Sequence, residues 1–324
     1  MGSDPRNPRS APVKPAAHAA AATSVPSTTG WESDVARSTR RPADFLTLAK
    51  PRLNLLVLVT TAAGLYLASP EGVAMSLLLH TLVGTALVAG GAAALNQAWE
   101  RDTDARMRRT RARPVASGRL RPSEGAWFGI GLSTAGLVEL AVGVNLISAA
   151  VAALTLGSYV LVYTPLKRRT SLATLVGAIP GALPPVIGWV AATGSVTLPA
   201  LVLFGIVFFW QMPHFLAIAW LYRDDYAAAG IPLLPVVEPD GRRTGRQALL
   251  YGAALWPVSL MPTLVGLAGG FYIVVATVLG LILIALTARF ARDRSIPAAR
   301  HVFLFSITYL PLLWGALVAD RLWI

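Results

Sequence analysis

Three oxygen-bearing side chains, those of Asn96, Glu100 and Asp104, recur at every fourth residue between two long apolar runs. On an α-helix this spacing rotates each side chain by only about 40° from the one before, so all three are expected on one face. Asp102 falls nearly opposite Glu100 and is a weaker member of the set. Because Mg²⁺ binds carboxylate and carbonyl oxygens, the spacing predicts a magnesium site.

A block of cationic side chains follows these oxygen ligands. It comprises Arg106, Arg108, Arg109, Arg111 and Arg113. Guanidinium groups pair with phosphate oxygens through two parallel hydrogen bonds, so this order of residues suits a metal-bound phosphate or diphosphate. The alternative is a charged cytoplasmic loop of a membrane protein, which accounts for the arginines but not for three oxygen ligands in helical register.

The composition places these residues in a membrane protein. Of 324 residues, 55% are hydrophobic and only 14% are charged, which is unlike soluble globular proteins. The chain has no cysteine, so disulfides, zinc–thiolate sites and thiol catalysis are excluded. Residues 1–43 are rich in Ala, Pro, Ser and Thr and lack an apolar core of signal-peptide length. We expect a disordered cytoplasmic tail there and one intramembrane domain at 44–324.

The predicted fold class is an all-α membrane protein with nine transmembrane helices, because nine apolar runs have about the length that a bilayer core requires. The runs are 53–69, 75–95, 126–142, 146–163, 172–192, 198–219, 249–265, 271–288 and 302–319. Pro and Gly residues at 177–189 predict a kink in the fifth helix, of the kind found where a membrane cavity needs room.

The connectors between these runs alternate sharply in charge. Those on one side, together with the N-terminal tail, hold 27 of the 28 Lys and Arg residues, and Arg321 is the exception. The positive-inside rule then places the N-terminus in the cytoplasm and the C-terminus outside. The expected location of this multi-pass protein is a bacterial-type inner membrane. The net charge of +12 is therefore a topology signal and does not indicate nucleic acid as a partner.

A second polar group lies at the end of the sixth run. It begins inside the run with Gln211 and His214 and continues beyond it with Asp224 and Asp225. Four spans separate the two groups, so both should emerge on the same side and face a shared cytoplasmic-side cavity. Taken alone, the two carboxylates would be interpreted as a solvated helix end. His214 is a hydrogen-bonded packing residue, a haem-iron ligand or a proton carrier.

Two other features are ambiguous. The connector at 164–171 carries Lys167, Arg168 and Arg169 on the same predicted side, where a routine basic turn is the alternative. Glu139 lies inside the third run, nearer the outer side, and is interpreted as a hydrogen-bonded structural residue.

At these residues the chain resembles the UbiA superfamily of intramembrane prenyltransferases. The pattern N-x-x-x-D-x-x-x-D is present with Glu100 in the place of the first Asp, and M-x-R-T-x-x-R-P follows at 107–114. W-Q-M-P-H-F at 210–215 and D-Y-A-x-A-G-I-P-x-L-P at 225–235 resemble the haem-farnesylating branch, the protohaem IX farnesyltransferases or haem O synthases. One departure is that the second D-x-x-x-D motif would fall near Tyr222 and Tyr226, so that either Asp224 and Asp225 substitute for it or a second metal ion is less fully ligated.

The resemblance implies a UbiA-like helical bundle and a reaction between farnesyl diphosphate and haem B. The diphosphate would bind Mg²⁺ held by Asn96, Glu100, Asp104 and the loop of Asp224 and Asp225. The charge on the leaving diphosphate would be neutralised by Arg109, Arg113, Lys167 and Arg168. A haem vinyl group would attack the allylic cation, and water would complete a hydroxyethylfarnesyl chain. His214 is the residue expected to contact haem. The partners implied are the two substrates and the bilayer, and haem-pathway or cytochrome oxidase assembly partners are left open.

Three other functions compete with this one. A transporter would explain nine helices but would place its ionisable residues near the bilayer centre instead of at one edge. A non-catalytic haem transporter or assembly protein would give Asn96, Glu100 and Asp104 no role. A UbiA-type prenyltransferase with an aromatic or quinone acceptor would share that first group but not W-Q-M-P-H-F.

Overall fold

The computed structural model describes residues 41–322, and these form α-helices joined by short connectors, with no strand in that range. The predicted all-α membrane fold is therefore confirmed for the described residues. Most of the predicted tail, 1–40, lies outside them. Its last three residues, 41–43, belong to the first helix and not to a tail.

The helices in the first part of the chain surround the oxygen-bearing residues. They are α1 (Arg41–Leu48), α2 (Pro51–Leu67), α3 (Met75–Trp99), α4 (Arg101–Arg106), α5 (Pro122–Gly143), α6 (Leu146–Gly157), a π-helical turn (Ser158–Tyr163) and α7 (Thr164–Leu166). The remaining helices are α8 (Ala173–Ala182), α9 (Pro184–Thr193), α10 (Leu198–Leu221), α11 (Arg223–Ala228), α12 (Leu234–Val237), α13 (Arg242–Leu264), α14 (Gly270–Asp293) and α15 (Ile296–Arg321).

Several of these helices are long and apolar enough to cross a membrane, so the protein is a multi-pass membrane protein. Within residues 41–322 seven helical segments meet that measure, or eight if the bent pair α1–α2 is one span. The run predicted at 249–265 lies in α13, whose first two turns are polar and which falls outside the seven. The count of nine is not confirmed and stays a prediction.

Close backbone contact between helices holds the first part of the bundle together. Helix α2 packs on α9, and α3 packs on α5. A methyl group on Gly188 of α9 would overlap the carbonyl of Thr61, and one on Gly64 of α2 would overlap the carbonyl of Pro185. Such small residues let helices approach closely in a membrane, where association relies on packing and not on the hydrophobic effect.

The helix predicted to kink is divided. Helix α8 ends at Ala182 and α9 begins at Pro184, with Pro180 one turn before the break. Proline has no N–H and frees a carbonyl one turn earlier. In the same stretch, the side chain of Gln211 on α10 donates through Nε2 to the carbonyl of Ala178 at 3.1 Å. Helix α10 thereby supports the interrupted segment, which forms one wall of a cavity.

The α2–α9 contact gives a stability prediction. Gly188→Ala should destabilise the protein by about 1–3 kcal/mol, because the added methyl group must displace the Thr61 backbone. Gly131→Ala is the matched control, since no atom lies within 4 Å of a methyl group there and alanine favours helix. The measurement is the thermal unfolding midpoint of purified protein in detergent. Equal midpoints for the two variants would contradict the proposed contact.

Candidate functional site

A cavity of about 480 Å³ lies among α2, α3, the π-helical turn, α8 and α10. One end is charged and is lined by Lys50, Glu100, Asp104, Arg109, Arg113 and Lys167. The other end is apolar and includes Val88, Leu156 and Ile187. The charged end lies where the helices lead into the basic connectors, so a ligand with an anionic head and an apolar tail matches both ends.

The structure brings Asn96, Glu100 and Asp104 together on the cavity wall. Helix α3 ends at Trp99, yet the Glu100 N–H donates to Asn96 O at 2.9 Å and the Asp104 N–H donates to Glu100 O at 2.8 Å. Helical hydrogen bonding thus continues across the break and keeps the three side chains on one face. Asp102 turns away, with 64% of its side chain exposed and an ion pair to Arg101.

Each cavity carboxylate is held by a cation. The Lys167 Nζ lies 3.1 and 3.2 Å from the two Glu100 oxygens, and Arg113 Nη1 lies 2.6 Å from Asp104 Oδ2. Burial alone would lower the pKa of Lys167, but Tyr163 and the Glu100 carboxylate raise it above its ordinary value. The ammonium therefore stays charged, and a charged group in so little water requires an anionic partner.

One oxygen of this group has no partner. Asp104 Oδ1 is buried and makes no hydrogen bond to the described residues. A buried carboxylate oxygen left unpaired is costly and indicates an additional ligand. Asn96 donates through Nδ2 to Thr164 Oγ1 at 3.2 Å, which leaves its amide oxygen to act as an acceptor. Carbonyl and carboxylate oxygens suit a hard divalent cation, so these residues fit Mg²⁺.

Arg109 also lines the cavity and is held by two aromatic rings. Its guanidinium carbon lies 5.4 Å from the ring centre of Tyr222 and 5.8 Å from that of Tyr226. Its Nη2 also donates to the Tyr226 hydroxyl at 3.1 Å. Met107, two residues earlier, is buried in an apolar cluster with Tyr226 and Ile231. The arginine-rich loop is therefore docked on the segment after α10.

The structure does not bring Asp224, Asp225 or Arg168 to the cavity lining. Asp224 has 88% of its side chain exposed, and Asp225 is bound to Arg108 at 3.1 Å. Tyr226 is the residue of this helix that lines the cavity. At about 100° per residue, the two aspartates must point elsewhere. Arg168 is exposed.

His214 also lies outside the cavity lining, although Gln211 and Phe215 of the same helix belong to it. Its ring stacks on Trp210, with ring centres 5.0 Å apart, and Nδ1 lies 2.8 Å from Ser306 Oγ on α15. The side chain therefore faces α15, where it is hydrogen-bonded.

Sequence reasoning did not assign Lys50, Tyr159 or Tyr163 to the site, yet all three line the cavity. Lys50 adopts φ 48° and ψ 56° directly before a proline, a conformation that both chirality and the proline disfavour. Hydrogen bonds to the preceding carbonyls of Leu48 and Ala49, from Gln97 and Asn54, fix this bend. The rings of Tyr159 and Tyr163 stack on the π-helical turn, with their centres 5.4 Å apart. Their spacing of four residues was the sequence feature that could have indicated a shared face.

Comparisons with known proteins agree with this geometry. Residues 57–310 match the family model described as the UbiA prenyltransferase family. The chain is 50% identical over 287 residues to a protein of Solibacter usitatus named protoheme IX farnesyltransferase, covering 86% of this chain and 98% of that protein. It is 46% identical over 280 residues to a Myxococcus xanthus protein of the same name, covering 86% and 95%.

Solved structures share the fold at low sequence identity. A structure described as digeranylgeranylglyceryl phosphate synthase has a TM-score of 0.75 at 15% identity, covering 88% of this chain and all of that one. A UbiA homologue from Archaeoglobus fulgidus bound to GPP and Mg²⁺ has a TM-score of 0.57 at 16% identity, covering 85% and 99%.

The metal site can be tested by the contrast between neighbouring carboxylates. Asp104→Asn should weaken Mg²⁺-dependent binding of inorganic diphosphate about a hundredfold, because a buried ligand oxygen is replaced or misdirected. Asp102→Asn, on the exposed face, should change it by less than about threefold. Calorimetry on the purified variants measures both affinities. A larger loss in Asp102→Asn than in Asp104→Asn would contradict the assignment.

Proposed function

The chain belongs to the UbiA prenyltransferase family, and from this premise we propose that it farnesylates haem B to haem O. The names of relatives 42–50% identical over most of the chain support this choice of substrates. The observation that carries it is the cavity, whose paired carboxylates and cations lie beside an apolar chamber within the helical bundle. A prenyl diphosphate has the same division between an anionic head and an apolar tail.

We assign Mg²⁺ to Asn96, Glu100 and Asp104. The unpaired Asp104 Oδ1 supports this assignment, as does the ligand pair GPP and Mg²⁺ in the Archaeoglobus fulgidus homologue. When bound, the ion would withdraw charge from the diphosphate oxygens. Asp224 and Asp225 were also predicted as metal ligands, but their placement outside the cavity lining gives them no direct contact there.

The diphosphate is bound and stabilised by cations of the chain. Lys167 and Arg113 lie within hydrogen-bonding distance of Glu100 and Asp104, so a diphosphate on that carboxylate site meets both. Arg109, from the same loop as Arg113, also lines the cavity. Such preorganised positive charge stabilises the leaving diphosphate more than the bound substrate, which is the usual origin of catalysis in this kind of reaction. Arg168, exposed on the same connector, would act only at longer range.

The apolar end shields the reacting carbon from water. From Thr85 to Asn96, both on the lining, α3 rises about 16 Å, which is room for a prenyl chain beside the polar end. The C1–O bond breaks with its electron pair on the diphosphate, and the vinyl π electrons form the new C–C bond. Water then adds to the haem-side cation, and its proton passes to the released diphosphate. Exclusion of water until the vinyl group arrives prevents simple hydrolysis.

The orientation in the membrane follows the charge distribution. We propose that the N-terminus and the connectors around Arg109 and Lys167 are cytoplasmic and that the C-terminus is outside, in a bacterial cell membrane. The cavity then receives farnesyl diphosphate from the cytoplasmic side.

The reaction is tested by extracting haems from membranes of a bacterium that lacks haem O and expresses this chain. We expect haem B to gain the mass of a farnesyl group and one hydroxyl group, and Glu100→Gln membranes to contain haem B alone. Immunoblotting confirms equal amounts of both proteins. Haem B alone in the unaltered membranes, with farnesyl diphosphate supplied, would refute the proposed reaction.

We further propose that His214 contacts haem, which would then lie between α10 and α15. His214→Ala should weaken haem binding and alter the absorption spectrum while sparing Mg²⁺-dependent binding of farnesyl diphosphate. Ser306→Ala, which removes only the hydrogen-bond partner, serves as the matched control and should have a smaller effect. Loss of farnesyl diphosphate binding in His214→Ala, with haem binding unchanged, would assign this residue to the other substrate.

A further inference from the structure

The cavity offers carboxylates on one wall only. Glu100 and Asp104 are the two that line it, and both belong to the stretch that follows α3. Within residues 41–322 no group of three or more His, Cys, Asp and Glu side chains could hold a metal ion. With the amide oxygen of Asn96 added, the donor set is enough for one divalent cation that keeps several waters.

Where the second D-x-x-x-D motif would fall, Tyr222 and Tyr226 hold a cation instead of supplying metal ligands. There Arg109 is bracketed by the rings of Tyr222 and Tyr226 and hydrogen-bonded to one of them. Aromatic faces attract a guanidinium group and fix its plane. A divalent cation at this place would meet a fixed positive charge and ring faces instead of carboxylate oxygens.

The neighbouring aspartates, Asp224 and Asp225, do not supply the missing carboxylate ligands. Asp225 is bound to Arg108 and Asp224 is exposed, and both sit on the short helix that already presents Tyr226 to the cavity. Turning either carboxylate inward would rotate Tyr226 away and release Arg109. The clamp and a second carboxylate site are thus mutually exclusive.

The charges agree with a single ion. The Glu100–Lys167 and Asp104–Arg113 pairs each cancel. A bound diphosphate carries about three negative charges, so one Mg²⁺ leaves about one, and the two further cations of the lining, Arg109 and Lys50, already exceed it. A second Mg²⁺ would leave the group strongly positive.

We propose that this site takes one divalent cation, and that the Arg109 guanidinium, clamped by Tyr222 and Tyr226, is the second positive centre that binds the diphosphate. The inference rests on the proposed function only in assuming that a diphosphate binds here.

The first test counts ions. Purified protein is titrated with Mn²⁺ at saturating inorganic diphosphate, and bound Mn²⁺ is measured by electron paramagnetic resonance. We expect one Mn²⁺ for each chain and no spin coupling between ions. Two coupled ions with diphosphate bound would overturn the single-ion inference and leave the proposed function standing. The absence of any diphosphate-dependent Mn²⁺ binding would overturn both.

The second test concerns Arg109. At saturating Mn²⁺, Arg109→Ala should weaken diphosphate affinity about 10- to 100-fold, and Tyr226→Phe, which loses only the hydrogen bond, should weaken it a few-fold. Arg111→Ala is the matched control, because that arginine is exposed and outside the cavity lining. Equal affinities for Arg109→Ala and Arg111→Ala would overturn the role of Arg109. Circular dichroism checks that each variant remains helical.

Discussion

The structure depends on two buried ion pairs at one end of an otherwise apolar cavity, Glu100–Lys167 and Asp104–Arg113. Removing a charge from water costs several kcal/mol, and at the edge of a bilayer that cost is recovered only when the partner is held in good geometry. Lys167 follows α7 and Glu100 follows α3, so their ion pair forms only if these helix ends are brought together, whereas Arg113 lies 9 residues after Asp104 on the same stretch. The packing of these helices and the geometry of the site therefore depend on each other.

Helix packing meets this requirement by bringing some backbones very close and keeping others apart. Gly64 and Gly188 allow α2 and α9 to touch through their backbones. By contrast, the break between α8 and α9 and the π-helical turn interrupt regular helices that would otherwise pack side by side. Interruptions of this kind are tolerated in a membrane where they line a cavity and neighbouring helices support them, as α10 does through the hydrogen bond from Gln211 to the Ala178 carbonyl. The same arrangement of helices therefore provides both a rigid scaffold and the volume of the cavity.

Regular helix geometry accounts for the part of the site that the sequence predicted. The spacing of Asn96, Glu100 and Asp104 placed them on one face because helical hydrogen bonding continues past the end of α3. Residue spacing could not predict which face of the short helix α11 would point into the cavity after α10 ends. Asp225 was expected in the site and Tyr226 was not, although they are adjacent, because tertiary docking of Met107 and not local periodicity sets that rotation. Lys50 was missed as a site residue for a similar reason, since no local rule predicts a left-handed lysine before a proline.

The loop that carries Arg109 shows how apolar packing positions a charge. Met107 is buried with Ala219, Tyr226 and Ile231, and this contact fixes the loop against the segment after α10. An arginine on an unanchored loop would sample many rotamers and would lose that freedom on binding an anion. Here the entropy is lost during folding, when the methionine docks and the two tyrosine rings enclose the guanidinium. The hydrophobic contact around Met107 therefore preorganises the electrostatic contact at Arg109, and the two cannot be changed independently.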